Sequence, residues 1–362
     1  MRKEEKVAFC GAVDVGGTKI ASALFAEDGR MLGRVGVGID RGTADKPVRQ
    51  IIGIIKGLQE LARMENGHVR AVGICIPGVV FEKSGLVWAP NIPGWDHFPL
   101  RSRLEKKIKT PLVLDSDRSA YVLGEQWLGA ARGKQDVVFL AVGTGIGAGI
   151  LAGGRLIRGS QDIAGAVGWF GLNPEFKEEY VRMGCFEAEA AGSAVGRKAR
   201  ELLRDGQPSL MRKMVRGKIE KVTAEIVVRA ARAGDALARK IIAEVSSYLA
   251  MGIANIVSIL NPEMVVLGGG LFQAGDFLLK PVRKEFRKWV QPLAGRKVRL
   301  ALSALGEDAG LCGAGRLAWL TVGRGSISNH VMSFWNRRGG WRGSGAPRRP
   351  KRLMPLNLPP NN

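Results

Sequence analysis

The feature that most constrains the fold is a unit that occurs twice: strand, glycine turn, strand, strand. Its first copy reads VAFCGAVDV, the Gly16-Gly17 turn, IASALFA and, after the Asp28-Gly29 turn, MLGRVGVGI. The second reads DVVFLAVG from Asp136 to Gly143, the turn GTGIG, then AGILAGG and RLIRG. A repeated order of elements predicts an internal duplication, each half presenting a glycine turn to one cleft. Two apolar strands joined through Gly-Gly also signal a hairpin, because glycine accepts the positive φ of tight turns. Such a turn lets a phosphate approach backbone N–H groups, and Thr18 and Lys19 add a hydroxyl and a cation. Asp14, at the strand end, is placed to hold a hydrated magnesium ion. Taken alone, Gly16-Gly17 reads equally well as a plain turn; the second copy favours the phosphate reading.

The rest of the chain alternates helix and strand. Val48, Ile51, Ile55, Leu58 and Leu61 give helical spacing over Pro47–Glu65. The buried strand VRAVGICIPG follows, then a loop rich in Pro and Trp, a short helix over Leu100–Ile108, the strand TPLVLDSD and a helix over Ser119–Ala131. Ser193–Ala233 reads as helical and basic. Asp235–Leu260 reads as a long helix stopped by Asn261-Pro262. The strand MVVLGGGL runs into Gly268–Gly270, a third glycine turn that gives a flat base or ribose access to the backbone. A helix over Ala274–Trp289, a strand over Val298–Ala304 and a helix over Ala309–Leu320, N-capped by Asp308, complete the pattern.

With 362 residues, 46% apolar and 24% charged, the chain has the composition of a soluble globular protein. The net charge of +22 suggests nucleic acid, but eight of its 55 Lys and Arg lie beyond Thr321 and the rest are dispersed. A solvated basic surface is the preferred reading, and no nucleic-acid partner is expected. Cys10, Cys75, Cys185 and Cys312 form no C-x-x-C pair, and His68, His97 and His330 have no metal-ligand spacing to them, so buried free thiols are expected. No signal peptide and no eighteen-residue apolar span is read, which predicts a cytoplasmic protein without membrane contact. Residues 322–362, rich in Gly, Pro and Arg, read as a disordered basic tail.

These residues together resemble the ROK family of sugar kinases and repressors, within the actin-like and hexokinase-like ATPases. The resemblance rests on VDVGGTK at 13–19, PGVV at 77–80, PNIPGW at 90–95, SDRSAYVLGE at 116–125 and VGTGIGAGI at 142–150. GCFEAEAAG at 184–192, NPEMVVLGGGL at 261–271 and GEDAGLCGAGRLA at 306–318 continue it in family order. It implies an α/β fold of duplicated RNase H-like domains facing each other across a cleft. The expected division is 1–117, completed by a C-terminal helix near 306–320, and 118–305 with a helical insertion. It further implies that Asp14, Gly16, Gly17, Thr18 and Lys19 form a first phosphate loop and Thr144 and Gly145 a second. Gly268, Gly269 and Gly270 would lie under the adenosine of ATP, and Mg²⁺ would arrive with the nucleotide near Asp14. Asp117 would be the catalytic base, and Gly78, Asn91, Asp117 and Glu187 the sugar contacts. A homodimer is the family's common state.

Three departures matter. Ser116 replaces the amide usually beside the catalytic aspartate. Ala166 and Trp169 replace the glutamate and histidine of the family's Glu-x-Gly-His segment, removing two sugar-binding groups. The cysteine-rich zinc loop is reduced to Gly184-Cys185-Phe186-Glu187, with Glu178 and Tyr180 in place of two cysteines. A structural zinc is therefore expected to be absent, replaced by packing around Trp169, Phe170 and Tyr180. The implied activity is ATP-dependent phosphorylation of a hexose, at the 6-hydroxyl of glucose or an N-acetylhexosamine. The alternative is a sugar- or nucleotide-binding regulator of the same fold with weakened catalysis. A DNA-binding repressor is disfavoured, since only thirteen residues precede Asp14.

Overall fold

The structure, a computed structural model, describes residues 7–335. The first sheet contains β1 (Val7–Val15), β2 (Lys19–Phe25), β3 (Met31–Gly38) and β4 (Gly67–Ile76). A two-stranded ribbon, β5 (Val79–Val80) and β6 (Val87–Trp88), precedes its last strand, β7 (Leu112–Ser116). The second sheet contains β8 (Val137–Val142), β9 (Ile146–Ala152), β10 (Arg155–Leu156), β11 (Met264–Gly268) and β12 (Arg299–Leu302). The strand orders are β3-β2-β1-β4-β7 and β10-β9-β8-β11-β12. In each sheet the first three strands form an antiparallel meander and the last two add in parallel. The duplication read from the two glycine hairpins is therefore a duplication of whole sheets.

The two hairpin turns differ by one residue. Val15 pairs with Ile20 and Val142 with Ile146, leaving Gly16-Gly17-Thr18-Lys19 as a four-residue connection and Gly143-Thr144-Gly145 as a three-residue one. None of these glycines has a positive φ, contrary to the reading of Gly16-Gly17 as a left-handed turn. Connections of three and four residues reverse the chain without one. The two-residue β9–β10 turn does need left-handed backbone, and both Gly153 and Gly154 supply it.

Each sheet carries its own large core. Ile51, Ile55 and Leu58 of the Asp45–Met64 helix pack with Val13, Ile20 and Ile74 of the first sheet. Ile241, Val245, Leu249 and Ile253 of the Ala236–Leu260 helix pack with Val138, Leu140, Val265 and Leu267 of the second. That helix corrects the reading that no segment is long and apolar enough to span a membrane, for by length and composition it is. Its apolar residues are spent on the core. Asp235 caps its start, accepting from the Ala238 N–H at 2.8 Å, and left-handed Asn261 ends it.

Between the sheets lie the Asp117–Trp127 helix and the first turns of the final helix, Ala309–Trp335. Ala120 and Ala314 join a cluster with Ala12, Ala21 and Cys75 of the first sheet, while Val122, Leu123 and Leu317 join Val137 and Phe139 of the second. Small residues dominate the first contact because the backbones nearly touch. A Cβ on Gly313 would stand 1.8 Å from the Ala120 carbonyl oxygen, and one on Gly73 would stand 1.9 Å from that of Ala314.

Other expectations need correction. The basic stretch 193–233 is three helices, Gly192–Arg204, Leu210–Met214 and Ala224–Arg232, broken at left-handed Gly206, Arg216 and Gly217. Asp308 does not cap the final helix. It lies in a short 3₁₀ turn, Gly306–Asp308, where its carboxylate accepts from Arg34 Nε at 2.7 Å. The final helix extends past 322, where a disordered tail was expected, and residues 336–362 lie outside the described residues.

Candidate active site

Asp14 is the penultimate residue of β1, opposite Cys75 of β4 in the parallel register. The Cys75 thiol donates to its Oδ1 at 3.1 Å. A Cβ on Gly310, in the first turn of the final helix, would lie 2.5 Å from its Oδ2. The carboxylate is thus enclosed by a thiol below and a side-chain-free helix turn beside it. Burial raises its pKa, against the lowering effects of the Cys75 hydrogen bond and the Lys19 charge. Gly17 and Thr18 complete the turn, with Thr18 exposed. Lys19 is placed differently from the expectation of a cation open to phosphate. Its Nζ pairs with Glu307 at 2.6 Å, both side chains more than half exposed. Such a pair contributes little to stability, about 0–1 kcal/mol.

Asp117 begins its helix, and Ser116 is the N-cap: the Ser116 hydroxyl accepts from the Ser119 N–H at 3.2 Å. The position usually given an amide therefore works here as a helix cap. Asp117 Oδ1 accepts from the Arg118 N–H at 2.8 Å. Its pKa is raised to about 6, chiefly by burial, with the Asp14 charge adding to the rise and the Arg118 charge opposing it. A carboxylate tuned toward neutral pH at a helix start is suited to accept a proton.

The second hairpin meets the residue that follows Asp117. The Arg118 side chain runs along Gly147, where a Cβ would meet Cδ at 2.7 Å. Glu187 supports the turn from below: its Oε2 accepts from the Ile146 N–H at 2.7 Å, and a Cβ on Gly145 would lie 2.6 Å from the same oxygen. Burial raises the Glu187 pKa. Gly145→Ala is therefore expected to push Glu187 aside and distort the turn while the protein stays folded. Catalytic efficiency should fall at least about tenfold, measured by steady-state kinetics beside circular dichroism. Beyond the turn, Gly268 is buried against the Phe139 ring and Gly269, at φ 88°, approaches the Val142 carbonyl. Gly270 borders open space, leaving room for a planar group over the backbone.

On the opposite side Asn91 is exposed, and a Cβ on Gly17 would stand 3.6 Å from the Asn91 Cβ. The loop that carries it is pinned by Trp95, which is buried, stacks on Phe98 at 5.3 Å and donates Nε1 to the Ala44 carbonyl at 2.9 Å. Gly78 is crossed by the Trp88 carbonyl, 2.1 Å from where a Cβ would be. The structure thus joins Gly17 with Asn91, Asp14 with Asp117 through their charges, Gly145 with Glu187, and the second turn with Gly268–Gly270. Trp169 differs from its expected packing role: it is 57% exposed. Phe170 stacks on Phe186, and Tyr180 is buried.

One pairing has no sequence signal. Arg158, just after β10, donates Nε to Asp115 Oδ2 at 3.0 Å, and Asp162 accepts from the Glu82 N–H at 3.1 Å. These bonds tie the segment leading to Ala166 to the end of β7 and the loop after β5.

The donor sets decide which metals fit. Asp14 offers a hard oxygen, and its charge raises the tendency of Asp117 to hold a proton, which a dication would relieve. A magnesium ion carried by phosphates fits there. Zinc does not fit the 170–185 segment. Its single cysteine, Cys185, is buried with Sγ accepting from the Leu172 N–H at 3.4 Å, and among the described residues no three His, Cys, Asp or Glu converge.

Known proteins resemble this chain over most of its length. The chain is 34% identical over 315 residues to a glucokinase of Thermotoga maritima, covering 86% of this chain and 97% of that one. It is 32% identical over 320 residues to a glucokinase of Halalkalibacterium halodurans, covering 85% and 93%. A solved ROK family glucokinase from Streptomyces griseus, in complex with glucose and AMPPNP, superposes with a TM-score of 0.71 at 31% identity, covering 86% of this chain and 99% of that one. The family model described as ROK family matches residues 10–320, and the chain belongs to that family.

Proposed function

We propose that this protein is an ATP-dependent hexose kinase, transferring the γ-phosphoryl group to the 6-hydroxyl of glucose or a related hexose. The observation that carries the reading is Asp117, a carboxylate at the start of a helix whose pKa is raised to about 6, with the Asp14 charge adding to the rise. Phosphoryl transfer needs positioning and charge stabilisation more than covalent help from the protein. The backbone of Gly16–Thr18 and Gly143–Gly145 binds the phosphates, and Gly268–Gly270 receives the adenosine. Asn91, Gly78 and Glu187 orient the sugar. Asp117 accepts the hydroxyl proton as the sugar oxygen bonds to phosphorus and the bond to the ADP oxygen breaks. Asp14 would hold Mg²⁺, which supplies positive charge to the phosphates when bound. In this reading residues 1–117 with 306–320 form one wall of the cleft and 118–305 the other. The glucokinase likeness over most of the chain supports this over the binding-only regulator. A homodimer in the cytoplasm belongs to the same proposal.

The test is ADP release from Mg-ATP across a panel of hexoses and N-acetylhexosamines, with Asp117→Ala as control. Hexose-dependent turnover that vanishes in the variant is the expected result. Tight ATP binding with no turnover on any sugar would instead make the protein a regulator.

A further inference from the structure

The 170–184 segment forms a strap over the Cys185–Ala190 helix, and it is fastened by charge. At its start the Phe170 carbonyl accepts from the Phe186 N–H at 3.1 Å. At its end Gly184, at φ 82°, packs against the 167–169 turn, where a Cβ would meet Gly168 O at 2.5 Å. Between these points the strap converges on Glu189, which is only 8% exposed. Lys177 Nζ donates to Glu189 Oε1 at 2.6 Å, and the Tyr180 hydroxyl donates to the same oxygen. Asn173 Nδ2 donates to the Tyr180 hydroxyl at 3.0 Å, and the Lys177 ammonium lies 5.7 Å over the Tyr180 ring. Glu179 forms an ion pair with Arg197, which also donates to the Ala188 carbonyl at 2.7 Å. A buried carboxylate is retained only when its lone pairs are met, so each donor here is energetically coupled to the others.

Glu187 stands two residues before Glu189 on the same helix, and positions two apart face opposite sides. Glu189 is gripped by the strap on one side, while Glu187 supports Gly145 and Ile146 on the other. We propose that Glu189 and Lys177 are positioning residues: their clamp takes the fastening role for which the 170–185 segment lacks a metal donor set, and holds Glu187 at the sugar side of the cleft. The clamp makes the strap independent of metal and dependent on one ammonium group. The claim about Glu187 rests on the kinase reading above; the claim about the strap does not.

The experiment compares wild-type protein with Lys177→Met, Lys177→Arg and Glu189→Gln. Lys177 is 41% exposed, so its substitution leaves the core packed. Proteolysis within 170–184 should be at least about tenfold faster in Lys177→Met and Glu189→Gln, and near wild type in Lys177→Arg. Dialysis of the wild type against EDTA should change nothing. KM for the best hexose of the panel should rise about tenfold in Lys177→Met while KM for ATP stays within about twofold. Unchanged proteolysis in Lys177→Met, protection lost on EDTA treatment, or stoichiometric bound zinc would overturn the clamp. A loosened strap with unaltered hexose KM would overturn its link to Glu187. A wild type without hexose turnover would remove the kinase reading and the Glu187 link with it, leaving the proteolysis and metal results to decide the strap.

Discussion

Asp117→Asn is expected to abolish turnover and to stabilise the fold at neutral pH. Loss of a general base costs about 10²–10⁴-fold in rate. The stability gain follows from the raised pKa of about 6 against an ordinary value of 3.8. The folded protein holds this proton more tightly than the unfolded chain does, so ionising Asp117 opposes folding. The penalty is absent below pH 4, where both states are protonated, grows between about 4 and 6, and is complete above about 6. The difference between about 6 and 3.8 corresponds to about 3 kcal/mol, an upper figure for the neutral isostere. Thermal unfolding should therefore show Asp117→Asn above wild type at pH 8 and equal to it at pH 4. A variant no more stable at pH 8 would mean that the carboxylate is not held at a cost. The same pKa sets an acid limb near pH 6 in the activity of the wild type, where Asp117 takes up its proton with Arg118 and Asp14 as its charged neighbours.

The second large effect is structural. Gly313→Ala places a Cβ 1.8 Å from the Ala120 carbonyl oxygen, a backbone atom that no rotamer change can move. The final helix must lift from the Asp117–Trp127 helix or not dock at all. Overpacking costs about 1–3 kcal/mol and occasionally more, and this contact belongs at the top of that range. A melting temperature lower by at least about 6–10 °C is expected. Gly57→Ala is the control. Gly57 lies exposed inside the Asp45–Met64 helix with nothing within 4 Å of a Cβ, so alanine should stabilise by about 0.5–1 kcal/mol. Equal effects from both substitutions would show that the close contact is not required.

Much of this site is legible in the chain because its main parts lie at strand ends and in turns. Asp14 follows an apolar run and precedes glycines, Asp117 follows the strand LVLDS, and both glycine hairpins repeat in order. The local pattern and the tertiary placement agree there. The parts that sequence does not disclose are pairings between distant residues of ordinary surface types. Lys19 and Glu307 are 288 positions apart, and nothing in VGGTK says that the cation is engaged. Glu189 reads as one more acidic residue in GCFEAEAAG; only the fold brings Lys177 and Tyr180 onto it. Trp169 reads as core by its type, yet it follows the buried Val167-Gly168 turn and projects outward. The positive φ assigned to Gly16-Gly17 fails because turn length, which depends on strand register, decides it.

The closeness of the final helix bears on how the protein is made. Gly310 completes the wall around Asp14, and its carbonyl lies 3.6 Å from the Cys75 thiol, 235 positions earlier in the chain. Trp319 reaches back farther, donating to the Phe25 carbonyl across 294 positions. The first sheet is synthesised before the final helix, and its aspartate is enclosed only once that helix docks. A nascent chain stopped near residue 300 would carry every strand of that sheet and still leave Asp14 without its Gly310 wall. Contacts of such long separation also slow refolding, since loop closure precedes their reward. Late arrival of one helix thus postpones the enclosure of Asp14 until residues 309–319 have been made.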